Sequence, residues 1–194
     1  MQTLPIILAS ASPARLELLS RIDIHPIVKP ADVDETELPR ELPGQAASRL
    51  ATLKANKISQ EIEGGYIIAA DTVAAVGRRI MPKALTPEMV ADCLKLYSGR
   101  RHRIYTGVHI IKKTEDGTRE SRSRLVQTVV AFKRLTDQEI DWYANCGEGI
   151  GKAGGYSVQG SVQGFVSFIS GSFSNIIGLP LFETRNMLIS LGYK

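Results

Sequence analysis

The chain has 194 residues, a formal net charge of +4, 43% hydrophobic and 23% charged side chains. This composition suits a globular protein of one domain, or of two small lobes sharing a core, and excludes a disordered or fibrous chain. The longest apolar run is interrupted by Asp71, which excludes a membrane span, and the mild positive balance favours anionic ligands while falling short of a nucleic-acid-binding surface.

The first predicted element is a strand at 4–10. Its "LPIILASA" run carries a signal-peptide-like Ala9-Ser10-Ala11, but the run is short and no Lys or Arg precedes it, so a strand is the reading. A helix is predicted at 13–22, with Ser12 as N-cap and Pro13 as first helical residue. A polar, proline-bearing stretch, 30–43, leads to a helix at about 43–60. A strand at 66–76 follows, closed by a turn at Gly77-Arg78-Arg79. Then come a helix at 87–98 and strands near 103–113 and 122–133 around the polar "KTEDGT" turn. "LTDQEIDWYANCG" carries a helix signature: Thr136 caps it, Glu139 stands three residues on, and Gly147 follows. A glycine-rich loop at 147–160, a strand at 163–170 and a helix starting at Pro180 complete the chain. The alternation lacks a strict βαβ rhythm, so a mixed sheet flanked by helices is expected, without internal repeats.

Charge sits at three places where apolar residues belong. Arg15 shares a helical face with Leu18, Leu19 and Ile22, beside a helix N-terminus suited to an anion. Two readings are open for it, a phosphate ligand or a packed stem whose head reaches solvent. In "AASRLATLKANKI" the face of Ala46, Ala47, Leu50 and Leu53 runs directly into Lys54 and Lys57, which suggests a cleft lined with ammonium groups. Asp71 lies inside "YIIAADTVAAV", apolar on both faces like a central strand. A carboxylate there must be paired, bound to a metal or opened onto a cavity, and such acids gather at active sites.

One hypothesis accounts for all three. Arg15, Lys54, Lys57 and Lys83 line a cleft that holds a polyphosphate, while Asp71 and Glu35, from the acidic "DVDETE" run, bind a divalent ion. Magnesium suits few carboxylates acting together with substrate phosphates. The remaining features are read as structural. Arg100, Arg101, His102 and Arg103 form a solvated or phosphate-facing loop without aromatic interleaving, and His25 and His109 are surface or edge residues. Cys93 and Cys146 are read as buried or semi-buried free thiols in a reducing cytosol. "GKAGGYSVQG" lacks the P-loop order and is read as a close-approach loop.

In order along the chain, "LASASPARLELL", "DETELP" followed by "RLATLKA", "AADTVAAVGRRIMPKA", "LYSGRRHRIYTGV" and "GKAGGYSVQG…FISGSFSNIIGLPL" resemble the signature blocks of the Maf family. The resemblance covers nearly the whole chain. It implies a nucleoside triphosphate pyrophosphatase that cuts between the α and β phosphates with a divalent metal (Mg, Mn or Co). It also implies an elongated two-lobed α/β fold like that of the inosine triphosphate pyrophosphatases (Maf/Ham1), one Maf-like domain over 1–194 with a central cleft. By position, Asp71 resembles the family's proton acceptor, Glu35 its motif glutamate, and Arg15, Lys54 and Lys83 its phosphate-binding cations. Ser10 and Ser12 add hydroxyl and N–H donors. Thr72 and Gln159 stand where the family reads the base, in a pattern similar to the branch preferring dTTP and UTP. Two departures are visible: Ala14 replaces the arginine or tryptophan often found there, and Met81-Pro82-Lys83-Ala84 replaces the Gly-Lys-Pro order.

The expectation is therefore a cytoplasmic enzyme with a nucleoside triphosphate as substrate, no membrane or nucleic-acid partner, and a homodimeric assembly. The alternative is a non-catalytic nucleotide- or nucleic-acid-binding regulator of cell division.

Overall fold

The computed structural model describes residues 4–194. Seven strands form one mixed sheet: β1 (Ile6–Leu8), β2 (Ile27–Val28), β3 (Gly65–Val76), β4 (Arg79–Ile80), β5 (Arg101–Lys113), β6 (Arg119–Phe132) and β7 (Val166–Ser170). Their order is β2-β1-β3-β5-β6-β7, with β4 pairing to β3. β1 runs parallel to both β2 and β3, and every other pairing is antiparallel. Among the described residues six helices flank the sheet: α1 (Pro13–Ser20), α2 (Pro43–Gln60), α3 (Pro87–Tyr97), α4 (Asp137–Asn145), α5 (Phe173–Ile177) and α6 (Leu181–Ser190).

β3 is apolar on both sides because both sides are covered. Ile67 and Ala69 pack with Ala55 and Ile58 of α2, whereas Ile68 and Ala70 pack with Leu18 and Leu19 of α1 and Leu188 of α6. Further along, Ala74, Ile104 and Val130 meet Val90, Leu94 and Tyr97 of α3 and Tyr143 of α4 in a separate core. α2 lies low on the sheet because its inward face is mostly alanine. Ala46, Ala47, Ala51 and Ala55 are buried, and Ala47 rests against the bare α-carbon of Gly107. Leu53, expected on that face, instead points outward and is 41% exposed.

Local signals place the helix starts. Ser12 and Thr86 accept hydrogen bonds from the backbone of Arg15 and Met89, and Thr136 and Glu139 form a reciprocal capping box.

Several expectations are corrected. β2, β4 and α5 are two to five residues long, too short to carry a periodic signal of their own. The predicted strand at 163–170 begins only at Val166, because Ser161–Phe165 form a 3₁₀ turn. The basic run is not a loop: Arg101, His102 and Arg103 belong to β5, and strand alternation turns His102 fully into the core. Cys93 is buried as expected, but Cys146, just past the end of α4, is exposed.

Candidate active site

β1 pairs with β3 at residues 66–68 and β4 pairs with it at 75–76, so the edge of β3 between them has no neighbouring strand on that side. Asp71 and Thr72 lie on this open edge, at the base of a cleft of about 620 Å³.

Asp71 is 8% exposed and Lys54, reaching in from α2, is 7% exposed. Lys54 Nζ donates to Asp71 Oδ1 at 2.6 Å and lies 2.6 Å from Glu35 Oε1. One ammonium thus joins two carboxylates, one buried and one on the cleft's acidic loop. Burial pushes the Asp71 carboxyl above its ordinary range. Lys54 and then Arg15 oppose that shift, and Glu35 adds to it.

Arg15 closes the opposite wall. Its Nε donates to the Gly178 carbonyl at 2.9 Å, Nη1 to Ser10 Oγ at 2.9 Å and Nη2 to Thr72 Oγ1 at 3.3 Å. Burial lowers the affinity of this guanidinium for its proton, against the pull of Asp71 and Glu35. Ser10 Oγ also accepts the Ser12 N–H at 3.2 Å, which orders the turn into α1. Thr72 shares its hydroxyl with Thr106 at 3.0 Å. Lys83 is held by backbone, pairing with Ala153 of the glycine-rich loop. On either side of it, Gly154 N–H donates to the Pro82 carbonyl at 2.9 Å and Gly151 N–H to the Ala84 carbonyl at 2.7 Å.

The cleft therefore gathers Ser10, Ser12, Arg15, Glu35, Lys54, Asp71, Thr72 and Lys83 in one lining, with Ala14 among them. Two expected residues are not there. Lys57 sits one turn beyond Lys54, about 4.5 Å further along α2, and its ammonium donates to the Asp32 carbonyl instead. At that height the β1–β3 pairing has closed the sheet edge. Gln159 is exposed and outside the lining. Its carbonyl accepts from Gln163 Nε2 at 3.1 Å, while Glu148 holds the next turn through Ser161 N at 2.8 Å and Oγ at 2.9 Å.

Other lining residues escaped the sequence reading. Arg49 and Lys152 are further cations, and Met81, Ile104, Tyr156 and Ile177 supply an apolar wall from the core around α3. Arg49 had no periodic signal, since its partner Glu41 lies before the helix begins. The apolar wall is assembled from four separate segments and has no local signature.

Among the described residues no three His, Cys, Asp or Glu side chains cluster as a metal cage. The donors present nevertheless fit a hard divalent ion. Two carboxylates converge on one cationic centre, and such an ion takes the rest of its shell from phosphates and water.

The profile of the Maf-like protein family matches residues 5–191. Similar proteins named nucleoside triphosphate pyrophosphatase are found in Rickettsia felis and Rickettsia akari. They are 59% and 58% identical over 195 residues, covering all of this chain and 96% of each relative. Among solved structures, the Ham1 protein of Staphylococcus aureus is similar at a TM-score of 0.47 and 17% identity, over 66% of this chain and 71% of that one. With the family profile and the relatives both running along essentially the whole sequence, the chain belongs to the Maf family.

Proposed function

We propose that this chain is a metal-dependent nucleoside triphosphate pyrophosphatase, releasing a nucleoside monophosphate and pyrophosphate. The observation that carries the reading is the buried Asp71 joined to Lys54 and Glu35 at the base of a cleft walled by Arg15 and Lys83. The names of the Rickettsia relatives support it.

In this reading Asp71 accepts the proton of the attacking water. A carboxylate lifted above its usual range is a better base near neutrality, provided neighbouring cations keep it ionised. Lys54 and Arg15 pull in that direction. Arg15, Lys83 and the Ser10–Ser12 turn bind the phosphates at the N-terminus of α1, whose dipole favours anions. Glu35 and Asp71 are the residues that would hold a magnesium, manganese or cobalt ion, which when bound neutralises phosphate charge and acidifies water. The apolar wall of Met81, Ile104 and Tyr156 suits a nucleobase.

Thr72 stays as the base-reading candidate, with dTTP and UTP as favoured substrates. Gln159, outside the lining, reaches the base only if the loop moves. The reading places the enzyme in the cytoplasm, in keeping with two unpaired cysteines. Among the described residues no helix is long and apolar enough to cross a membrane.

A panel of ribo- and deoxyribonucleoside triphosphates, including modified bases, tested with each metal and resolved by product, decides the matter. Monophosphate plus pyrophosphate is expected. Release of inorganic phosphate would make the protein a phosphatase. A salt-sensitive DNA shift with no turnover would make it a binding regulator.

A further inference from the structure

We infer that Arg49 is a positioning residue that buckles the acidic loop to α2 and so sets the Glu35 carboxylate beside Asp71. The inference rests on the proposed pyrophosphatase reading, and deepens it.

Glu35 comes from a segment between β2 and α2 that has neither helix nor strand, so nothing in its local backbone sets where its carboxylate points. α2 does this from outside. Lys57 takes the Asp32 carbonyl on one side of Glu35, and Arg49 Nη2 takes the Thr36 carbonyl on the other at 3.1 Å. Between those two grips, Lys54 takes the Glu35 carboxylate itself. Three cations of one helix thus hold three consecutive points of one loop.

Arg49 makes the most hydrogen bonds of the three grips. Its Nε and Nη2 each lie 2.7 Å from a different oxygen of Glu41, the two-pronged geometry that arginine alone provides. The side chains are 22% and 8% exposed. The pairing holds the Glu41 carboxyl below its ordinary range and the guanidinium above its own. Glu41 in turn accepts the Leu38 N–H at 3.3 Å, and Asp34 accepts the Thr36 N–H at 2.9 Å. The loop is thereby tied into one unit that ends at the helix carrying Lys54.

Arg49 also borders the cleft, which raises a rival role as a direct phosphate ligand. Arg49→Lys separates the two, because lysine keeps the charge and loses the two-pronged grip. For positioning, kcat falls and the magnesium concentration for half-activation rises, each by about 10- to 100-fold, as for partners of metal ligands. The nucleotide KM then stays within about threefold of the parent. Amide exchange across 34–38 accelerates in the metal-free, substrate-free protein. Arg49→Lys combined with Glu35→Gln is no worse than Glu35→Gln alone, since both act through one carboxylate. Glu41→Gln opens the same buckle from the loop side and repeats the pattern, which keeps the test intact should Arg49→Lys fold poorly.

A raised KM with kcat and loop exchange at parent values would make Arg49 a substrate ligand and overturn the proposal. Fully multiplicative losses in the double variant would do the same. If the parent protein releases no pyrophosphate, the enzymatic reading fails by that result, while the exchange measurement still decides whether Arg49 holds the loop.

Discussion

Asp71 and Gly107 face each other across the β3–β5 ladder, and the missing side chain of Gly107 lets α2 bring Lys54 within 2.6 Å of Asp71. A Cβ on Gly107 would sit 2.6 Å from the Ala47 carbonyl carbon and 2.7 Å from Ser48 N. Backbone cannot yield there as a side chain tip can. Gly107→Ala is expected to destabilise the protein by about 1–3 kcal/mol through overpacking. It should also lower kcat/KM by up to about a hundredfold by lifting Lys54 and Arg49 away from the cleft. Urea unfolding and steady-state kinetics check both, and a stable variant with parent kinetics would show that α2 tolerates displacement.

Asp71→Asn should reduce turnover by about 10²- to 10⁴-fold, the usual worth of a general base, with the circular dichroism spectrum unchanged. In the parent the acid limb of the kcat/KM profile lies above the ordinary aspartate value of 3.8, because burial raises this carboxyl. Lys54→Met should carry the limb to still higher pH, since the ammonium is the largest influence pulling Asp71 down. A limb that moves to lower pH in that variant would contradict the assignment of Asp71 as base.

The same shift acts on stability. Between 3.8 and its raised folded value, Asp71 holds its proton longer in the folded chain than in the unfolded one. Its contribution to stability therefore declines as pH rises through that interval. Asp71→Asn should remove that decline, which denaturant titrations at a series of pH values will show.

His102 works in the opposite sense. It is fully buried, stacks on Tyr97 with centroids 4.0 Å apart, and lies 2.8 Å from the Tyr156 hydroxyl through Nε2. Burial depresses its pKa from 6.5 to about 3. The unfolded chain binds this proton first, so stability is lost as pH falls from 6.5 towards 3, at up to about 1.4 kcal/mol per pH unit. His102→Phe keeps a ring against Tyr97 and should flatten that slope. It should also cost about 1–3 kcal/mol at neutral pH by leaving the Tyr156 hydroxyl unpaired.

Gly154 joins this aromatic group to the cleft. Its φ is +74°, and a Cβ there would collide with the Tyr97 hydroxyl and approach Ala74 Cβ at 2.7 Å. Gly154→Ala should destabilise by more than about 1 kcal/mol and loosen the backbone pairing around Lys83. Its kinetic loss should resemble that of Lys83→Ala in kind, which a side-by-side comparison of kcat and KM for the two variants tests.

The elements whose signals are local are readable from the order of residues alone. β3 is legible from its apolar residues on both faces, α2 from its alanine-rich period, and α1, α3 and α4 from Ser12, the 87–98 pattern and the Thr136–Glu139 pair. Arg15, Lys54, Lys57 and Asp71 stand out as misplaced charges in the same way, because pattern alone exposes a charge on an apolar face. What that order could not determine was reach. Lys54 and Lys57 share one helical face in the sequence, yet the point where β1–β3 pairing closes the sheet edge puts one in the cleft and the other on a loop carbonyl. His102 read as part of a basic loop until the β5 pairing turned it inward. Arg49 stood out in no pattern, because its partner Glu41 lies outside the helix that carries it. Local propensity and periodicity depend on neighbours in the chain, whereas cleft lining, burial and ion pairing depend on which distant segments the sheet register brings together.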